Sequence, residues 1–305
     1  MATDTAPDFD LGPLSWVQNE IDQAIARGLE SLAAFRANPG DDAALKHART
    51  HVHQAAGAIQ MVGLDAVVAY TDELERQLAR LESLPRAEVD ATAGVVDRAC
   101  RKLRIFLDEL VKGVAPVPLK LFPEYEAMQL ARGAKAASPT ELFYPDLTLR
   151  PPKIAPREPI GVSKLPSYLV KQRRTYQRGL LTWLRGDAEG ARTMREAVAG
   201  IEDATTQGSL RSFWWSVGAL LEAINGNGLD PGFGVKQLAA RIDLQIRRVV
   251  EGSAKAADRL RREVLYYVAI SAPVGPQVQA VQRTFQLAGL IPTAEALNAD
   301  LVRIQ

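Results

Sequence analysis

Prolines are concentrated in one stretch of the chain, and that stretch limits the fold more than any other feature. Nine of the 18 prolines fall between residues 114 and 163. Proline has no backbone donor and breaks an α-helix, so no long helix crosses this stretch. On both sides of it, apolar residues recur every three or four positions, which predicts amphipathic helices. The sequence therefore predicts an all-α chain with two helical domains.

The region before the prolines, residues 12–113, predicts four helices. Asn38-Pro39-Gly40 ends the first helix, and Asp41 or Asp42 can cap the second. Gly63 is suited to end that second helix, because glycine tolerates the left-handed backbone of a helix stop. Four helices joined by short loops predict an antiparallel four-helix bundle. Their apolar stripes cover residues 14–35, 45–62, 64–81 and 89–110.

The rest of the chain predicts a connection and a second domain. Residues 114–163 form the Pro-rich connection, with a short helix at 122–132 and a linker from about Asp146 to Lys164. Residues 164–305 return to helical periodicity and predict a second bundle. Its helices are expected at residues 168–185, 188–206, 210–224, 235–252, 255–270 and 278–288.

Composition narrows the class of protein. A net charge of +1 gives no global argument for nucleic-acid binding, although residues 1–163 carry −5 and residues 164–305 carry +6. The single cysteine, Cys100, excludes an internal disulfide and fits a reducing compartment. The acidic start is unlike a secretory signal, and no run of about 18 apolar residues predicts a membrane span. These features predict a soluble, cytoplasmic protein.

All three histidines, His47, His51 and His53, lie in the second predicted helix. Helical spacing places His53 on the polar side and turns His47 and His51 to another flank. Imidazole is a nucleophile near neutral pH, so His53 could carry a phosphoryl group or could simply be solvated. A metal site fits less well, because the three rings do not converge and a structural zinc needs four N or S donors. The neighbours of His53 on its side of the helix are Lys46, Arg49, Gly57 and Gln60.

The wording THVHQAAGAIQMVGLDAV resembles the histidine-containing phosphotransfer (Hpt) motif, in which His53 is followed by Gly57 and Gly63. It is most similar to the first Hpt domain of CheA-like hybrid histidine kinases of the ChpA/PilL type, which control type IV pili and twitching motility. This resemblance implies that His53 takes a phosphoryl group from a histidine kinase catalytic core and passes it to a response-regulator receiver domain, without a cofactor or metal.

The same resemblance assigns roles to the residues around His53. It implies that Glu75 orients the imidazole; otherwise Glu75 is an ordinary surface glutamate. Many Hpt domains have lysine three residues after the histidine, and this chain has Ala56. Lys46 or Arg49 would then have to support the phosphoryl group, and Gly57 would leave room for the partner.

The segment ELFYPDL resembles one that follows the first Hpt domain in the pilus kinases and in the related FimL-type scaffold protein. The segments LEAINGNGL and VLYYVAI resemble the second, Hpt-like domain of that same family, as in the FimL-type scaffold protein. In this domain, Trp214-x-x-x-Gly218 stands where the first domain has His53-x-x-x-Gly57. No histidine follows His53, so this Hpt-like domain cannot be a histidine phosphocarrier. The resemblance implies the N-terminal part of a chemotaxis-type kinase with further domains after Gln305. The alternative is a non-catalytic docking scaffold of the FimL type for pilus signalling.

Overall fold

The computed structural model describes residues 12–152 and 160–304, and every regular element within those ranges is helical. The all-α prediction is therefore confirmed. These residues form two helical bodies. The α-helices are α1 (Gly12–Ala37), α2 (Asp42–Met61), α3 (Asp65–Leu81), α4 (Arg86–Val111), α5 (Phe122–Ala131), α6 (Leu165–Leu184), α7 (Glu189–Ala204), α8 (Gly208–Asn225), α9 (Phe233–Val250), α10 (Asp258–Ile270), α11 (Pro276–Thr284) and α12 (Ala294–Ile304).

The first body contains the described residues up to Tyr144 and those from Pro292 onward. In it, α1 packs on α2 and α4, while α3 packs on the other sides of the same two helices. α2 and α4 therefore lie at opposite corners of a four-helix arrangement. Each helix turns its apolar stripe inward, and the core is filled by side chains such as Ile21, Leu32, Ile59, Leu74, Val96 and Leu103.

The ends of α2 follow from local sequence. Asp41 Oδ1 accepts a hydrogen bond from the backbone N–H of Ala44 at 3.0 Å, which satisfies one free donor at the helix start. At the other end, Gly63 adopts φ +76°, a left-handed conformation that favours glycine. The predicted cap and the predicted stop are both confirmed, and together they fix the length of the helix that carries His53.

The early part of the Pro-rich stretch packs onto the first body. α5 lies against α3 and α4, where the side chain of Gln77 donates to the Met128 carbonyl at 2.6 Å. Leu142 and Phe143 are buried, so the first part of the ELFYPDL segment contributes to the core of this body, whose first segment ends at Tyr144. The predicted linker runs from Asp146 to Lys164, and its residues 153–159 lie outside the described residues.

The last helix, α12, also belongs to the first body and packs on α4. Lys102 of α4 forms an ion pair with Asp300 of α12, and both side chains are buried. Lys120 lies 3.5 Å from the same carboxylate. A buried pair of charges is specific in its geometry, because each charge is costly to leave alone. The helical pattern at the end of the sequence therefore forms part of the first bundle's surface.

The second body spans residues 145–291. α8 is its central helix, with Trp214 fully buried and α7, α10 and α11 packed around it. α6 and α7 approach closely at Gly179 and Gly190. A side-chain carbon on Gly190 would lie 2.3 Å from the backbone nitrogen of Trp183, so only glycine fits there. Among the residues described, none of the helices is long and apolar enough to span a membrane.

Candidate functional site

His53 and Glu75 meet across the surface between α2 and α3. The Nδ1 atom of His53 lies 2.6 Å from Oε1 of Glu75, a hydrogen-bonding distance. The imidazole is 79% exposed, whereas the carboxylate is 32% exposed. A carboxylate in this position holds one ring nitrogen and leaves Nε2 turned to solvent. The contact that the resemblance implied for Glu75 is present, and its functional role stays a prediction.

His53 opens onto a groove of about 790 Å³ between these two helices. Leu45, Leu78 and Ala79 form the apolar part of its lining. The charged and polar part comes from Asp42, Lys46, Arg49, Thr50 and His53 of α2 and from Glu75, Arg76 and Glu82 of α3. We call this set of residues the His53 groove. Its mixed charges suit a polar protein surface better than an apolar small molecule.

The cations of the groove are largely neutralised by carboxylates. Arg49 forms an ion pair with Glu82 at 2.9 Å, and Arg76 pairs with the buried Glu73 at 3.2 Å. Lys46 is exposed and makes no ion pair within the described part of the chain. Ala56, at the position where many Hpt domains have lysine, is buried in the bundle. Positive charge beside the imidazole is therefore scarce.

The surface below His53 is open. A side-chain carbon placed on Gly57 would have no heavy atom within 4 Å. Gln60, one turn further, is exposed, and Met61 at the end of α2 is 86% exposed. A glycine costs roughly 1 kcal/mol in a helix relative to alanine, so an open glycine needs a reason other than packing. Close approach of another protein would be such a reason.

The other two histidines do not join this site. His51 faces α1, where its Cβ is 3.7 Å from the carbon that a side chain on Gly28 would add, and its ring contacts Gln54 at 3.3 Å. His47 lies one turn earlier on α2 and is exposed. Within the ranges that the structure describes, no three histidine, cysteine or acidic side chains group as metal ligands.

Arg76 and Glu82 line the groove, although neither was predicted from the sequence as a site residue. A signal for Glu82 exists, because Glu75, Ala79 and Glu82 recur at the spacing of one helical face. No comparable signal marks Arg76, whose guanidinium is drawn toward Glu73 by a contact inside the bundle.

In the second body, a tryptophan stands at the position that matches His53. Trp214, which takes the place of the histidine, is fully buried and packs edge-on against Phe213, with ring centroids 4.8 Å apart. Trp215 is also buried, beside Phe285. Both tryptophans therefore belong to the core and neither forms a binding surface.

Comparison with known proteins gives two related findings. Residues 162–298 match the family model described as the FimL scaffold protein second domain. The chain is also similar to scaffold protein FimL of Pseudomonas aeruginosa (strain PAO1), with 27% identity over 296 residues. That alignment covers 95% of this chain and 52% of the relative, so the chain spans about half the length of the relative. No solved structure matches the chain.

These findings correct the prediction of a kinase. The resemblance to the Hpt region of a CheA-like hybrid kinase is wrong as an assignment, because the similarity to scaffold protein FimL runs through both halves of the chain. The predicted function of phosphotransfer by His53 is therefore wrong as well. Two physical features agree with the correction: Ala56 is buried where a lysine would support a phosphoryl group, and Arg49 is already paired with Glu82. The chain is, over 95% of its length, similar to a scaffold protein.

Proposed function

We propose that this chain is a docking scaffold of the FimL type, which brings signalling proteins together in the control of type IV pili and catalyses no step itself. The observation that carries the proposal is the similarity to scaffold protein FimL over 95% of the chain. The second body supports it as well, because it contains no histidine and its central tryptophan is buried. The same proposal places the chain in the cytoplasm, where response regulators act.

The proposed fold of the first body is an Hpt-like bundle that has kept its docking surface. Four helices packed in a ring, with His53, Glu75 and Gly57 on one side, provide the kind of surface to which a receiver domain docks. One fold can host different functions, so a bundle of this kind can present a binding surface without carrying out the chemistry. We therefore assign a response-regulator receiver domain as the partner of the His53 groove, with no phosphoryl group transferred.

Residues of the His53 groove and of the open surface at Gly57 beside it have separate parts in this docking. Glu75 holds the imidazole of His53 in one orientation, so that Nε2 is presented as a hydrogen-bonding group. Lys46 supplies a cation for the acidic surface of a receiver domain. Gly57 and Gln60 allow the partner backbone to approach α2 closely. Arg49, which is ion-paired with Glu82, forms part of the wall of the His53 groove.

The proposal is tested by measuring binding of the purified chain to the receiver domain of the pilus response regulator from the same organism. Gly57→Trp places a large side chain in the open surface and should weaken binding by at least about tenfold. The matched control is Ala91→Trp, because Ala91 is exposed on α4, at the opposite corner of the bundle. Calorimetric titration gives both dissociation constants.

His53→Gln separates docking from chemistry in the same titration. Glutamine keeps a hydrogen-bonding side chain, so a scaffold should bind the receiver domain within about threefold of wild type, as expected for a peripheral polar contact. Equal binding by the Gly57→Trp and Ala91→Trp variants would show that the surface of α2 beside His53 is not the docking surface. Absence of binding by the wild-type chain would remove the receiver domain as its partner.

A further inference from the structure

The exposed side of α6 and α9, in the second body, carries a large excess of positive charge. α6 contains four lysine and arginine residues and no acid, and α9 contains four basic residues and one acid, Asp243. That carboxylate is already held by Arg173, whose guanidinium donates to it at 3.1 and 3.2 Å. Two cations of α9 are paired from outside these helices, Arg241 with Glu263 and Arg247 with Glu251. The remaining cations of α6 have no carboxylate within either helix to balance them.

The cations of α6 are displayed on one face. The opposite face is anchored in the core by Tyr176, Leu180 and Trp183. The exposed residues recur every three or four positions and include two apolar side chains, Leu181 and Leu184, which are 57% and 44% exposed. In the part of the chain that the structure describes, Lys171, Arg174 and Arg178 form no ion pairs. The exposed row is Lys171, Arg174, Arg178, Leu181 and Arg185.

α9 lies beside α6 in the opposite direction and extends the same surface. The hydroxyl of Tyr176 donates to the Ala239 carbonyl at 2.8 Å, and Trp183 and Leu184 border a cavity that Lys236 also lines. α9 contributes a further exposed leucine, Leu244, which is 52% exposed. Leu181 of α6 lies one helical turn from Arg178 and Arg185, so apolar and cationic side chains share this surface. We call the exposed residues of both helices the α6–α9 face.

We propose that the α6–α9 face is a docking surface for an acidic amphipathic helix of a partner protein. Carboxylates of such a helix would pair with Arg174 and Arg178, whose planar guanidinium groups bind carboxylates through two hydrogen bonds. Its apolar side would rest on Leu181 and Leu244, as in helix-to-surface recognition with anchors at helical spacing. This adds a second docking surface to the proposed scaffold and rests on that function for its biological purpose.

The chemistry of the face favours a protein over the other anionic partners. An interfacial membrane helix inserts a continuous apolar face, but the apolar faces of α6 and α9 are buried in the body. This leaves four exposed apolar side chains for a bilayer to take up: Leu181, Leu184, Phe233 and Leu244. The phosphates of a nucleic acid would pair with the arginines. Leu181 and Leu244 would then lie against phosphates and would bury no apolar surface. A helix that carries both acidic and apolar side chains would pair with the arginines and also cover the exposed leucines.

The test uses a fluorescein-labelled peptide of about 18 residues, long enough to form a helix, with leucine at every third or fourth position and glutamate at most others. Fluorescence anisotropy measures its binding to the full chain. We expect saturable binding that weakens by at least about tenfold in the Arg174→Glu/Arg178→Glu double variant. Leu181→Ser/Leu244→Ser should also weaken peptide binding, because the apolar contacts for the leucines of the peptide are lost while the charge of the face is unchanged.

The matched control makes the same change of charge elsewhere on the second body. Arg192 and Arg283 are exposed on α7 and α11, and Arg192 lines a cavity with Gly218 and Gln277 on the side away from α6. The Arg192→Glu/Arg283→Glu variant should bind the peptide as wild type does. Equal weakening in both arginine variants would overturn the proposal, because net charge alone would then explain binding.

Three further results would also overturn it. Tighter binding to phosphatidylglycerol vesicles than to the peptide, sensitive to Arg174 and Arg178, would assign the face to membranes. The same pattern with duplex DNA would assign it to nucleic acid. Self-association that the Arg174→Glu/Arg178→Glu variant abolishes would assign it to a second copy of the chain. Because the probe is a peptide and no receiver domain is present, failure here is distinct from failure of docking at the His53 groove.

Discussion

Gly57 and Gly63 show how two glycines of one helix can have opposite effects on stability. A side-chain carbon at either position would have no heavy atom within 4 Å, so steric room does not distinguish them. Gly63 has φ +76°, whereas Gly57 lies within the helix α2. We expect Gly63→Ala to lower the free energy of unfolding of the first body by about 1 kcal/mol or more, because alanine is strained in the left-handed region.

Gly57→Ala is expected to have the opposite sign. Alanine favours the helical backbone, so this variant should be unchanged or more stable by up to about 1 kcal/mol. Urea denaturation followed by circular dichroism measures both variants. A larger loss of stability for Gly57→Ala than for Gly63→Ala would contradict the end of α2 at Gly63.

Cys100 gives a second prediction at the scale of one residue. Burial, with a smaller contribution from the nearby Asp97, raises the pKa of this thiol to about 12. The thiolate is the reactive form, so the native chain should react very slowly with iodoacetamide at pH values far below that pKa. In urea the thiol returns to an ordinary pKa of about 8.5 and should react readily. Mass spectrometry of the alkylated chain measures both rates, and rapid alkylation of the folded chain would show that Cys100 is not in the core.

The helices show which parts of the fold could be predicted from sequence. The ends of α2 depend on Asp41 and Gly63, which act within a few residues and were predicted correctly. The ion pair between Lys102 and Asp300 joins residues 198 positions apart, and no local sequence pattern predicts such a contact. The pairing of Arg49 with Glu82 is similar in kind, because it depends on how α2 and α3 pack together. Local rules therefore predicted the elements and the position of His53, but not the ion pairs that surround it.

The docking of α12 on α4 can be tested through its buried charges. Lys102→Met leaves Asp300 with its more distant partners only, Lys120 at 3.5 Å and Arg303 at 3.7 Å. This loss should destabilise the first body by about 2 kcal/mol. The double variant Lys102→Met/Asp300→Leu removes both charges and should recover most of that stability, because an apolar pair avoids the cost of desolvation. Urea denaturation compares the two variants with wild type. A single variant as stable as wild type would show that α12 does not pack on α4 in solution.

At the scale of the whole molecule, the chain passes between its two bodies twice, after Tyr144 and after Ile291. The proline content of residues 146–164 predicts that trypsin cuts there first, at Lys153 or Arg157, neither of which precedes proline. The C-terminal fragment would still carry α12, which packs on the first body. The two fragments should therefore separate on a denaturing gel and elute together in gel filtration. First cleavage within α1–α4 or within α6–α11 would contradict this organisation.

The two bodies also explain why the function was predicted less well than the fold. His53, Glu75 and Gly57 are arranged as the phosphotransfer resemblance implied, so the local motif alone pointed to chemistry. The similarity to a scaffold protein extends over both bodies, and the second body has a buried tryptophan in place of a histidine. The motif around His53 describes one surface of the first body only. The function proposed here involves surfaces on both bodies.

If the chain acts by docking and not by phosphoryl transfer, control of twitching motility depends on the open surface of α2 and not on the imidazole of His53. A strain that lacks this chain is supplied with wild type, His53→Gln or Gly57→Trp, each confirmed to be folded and equally abundant, and twitching motility is measured. We expect His53→Gln to restore motility as wild type does and Gly57→Trp not to restore it, because only the latter blocks approach to α2. Loss of motility in the His53→Gln strain, with receiver binding intact, would show that the imidazole is needed for more than docking.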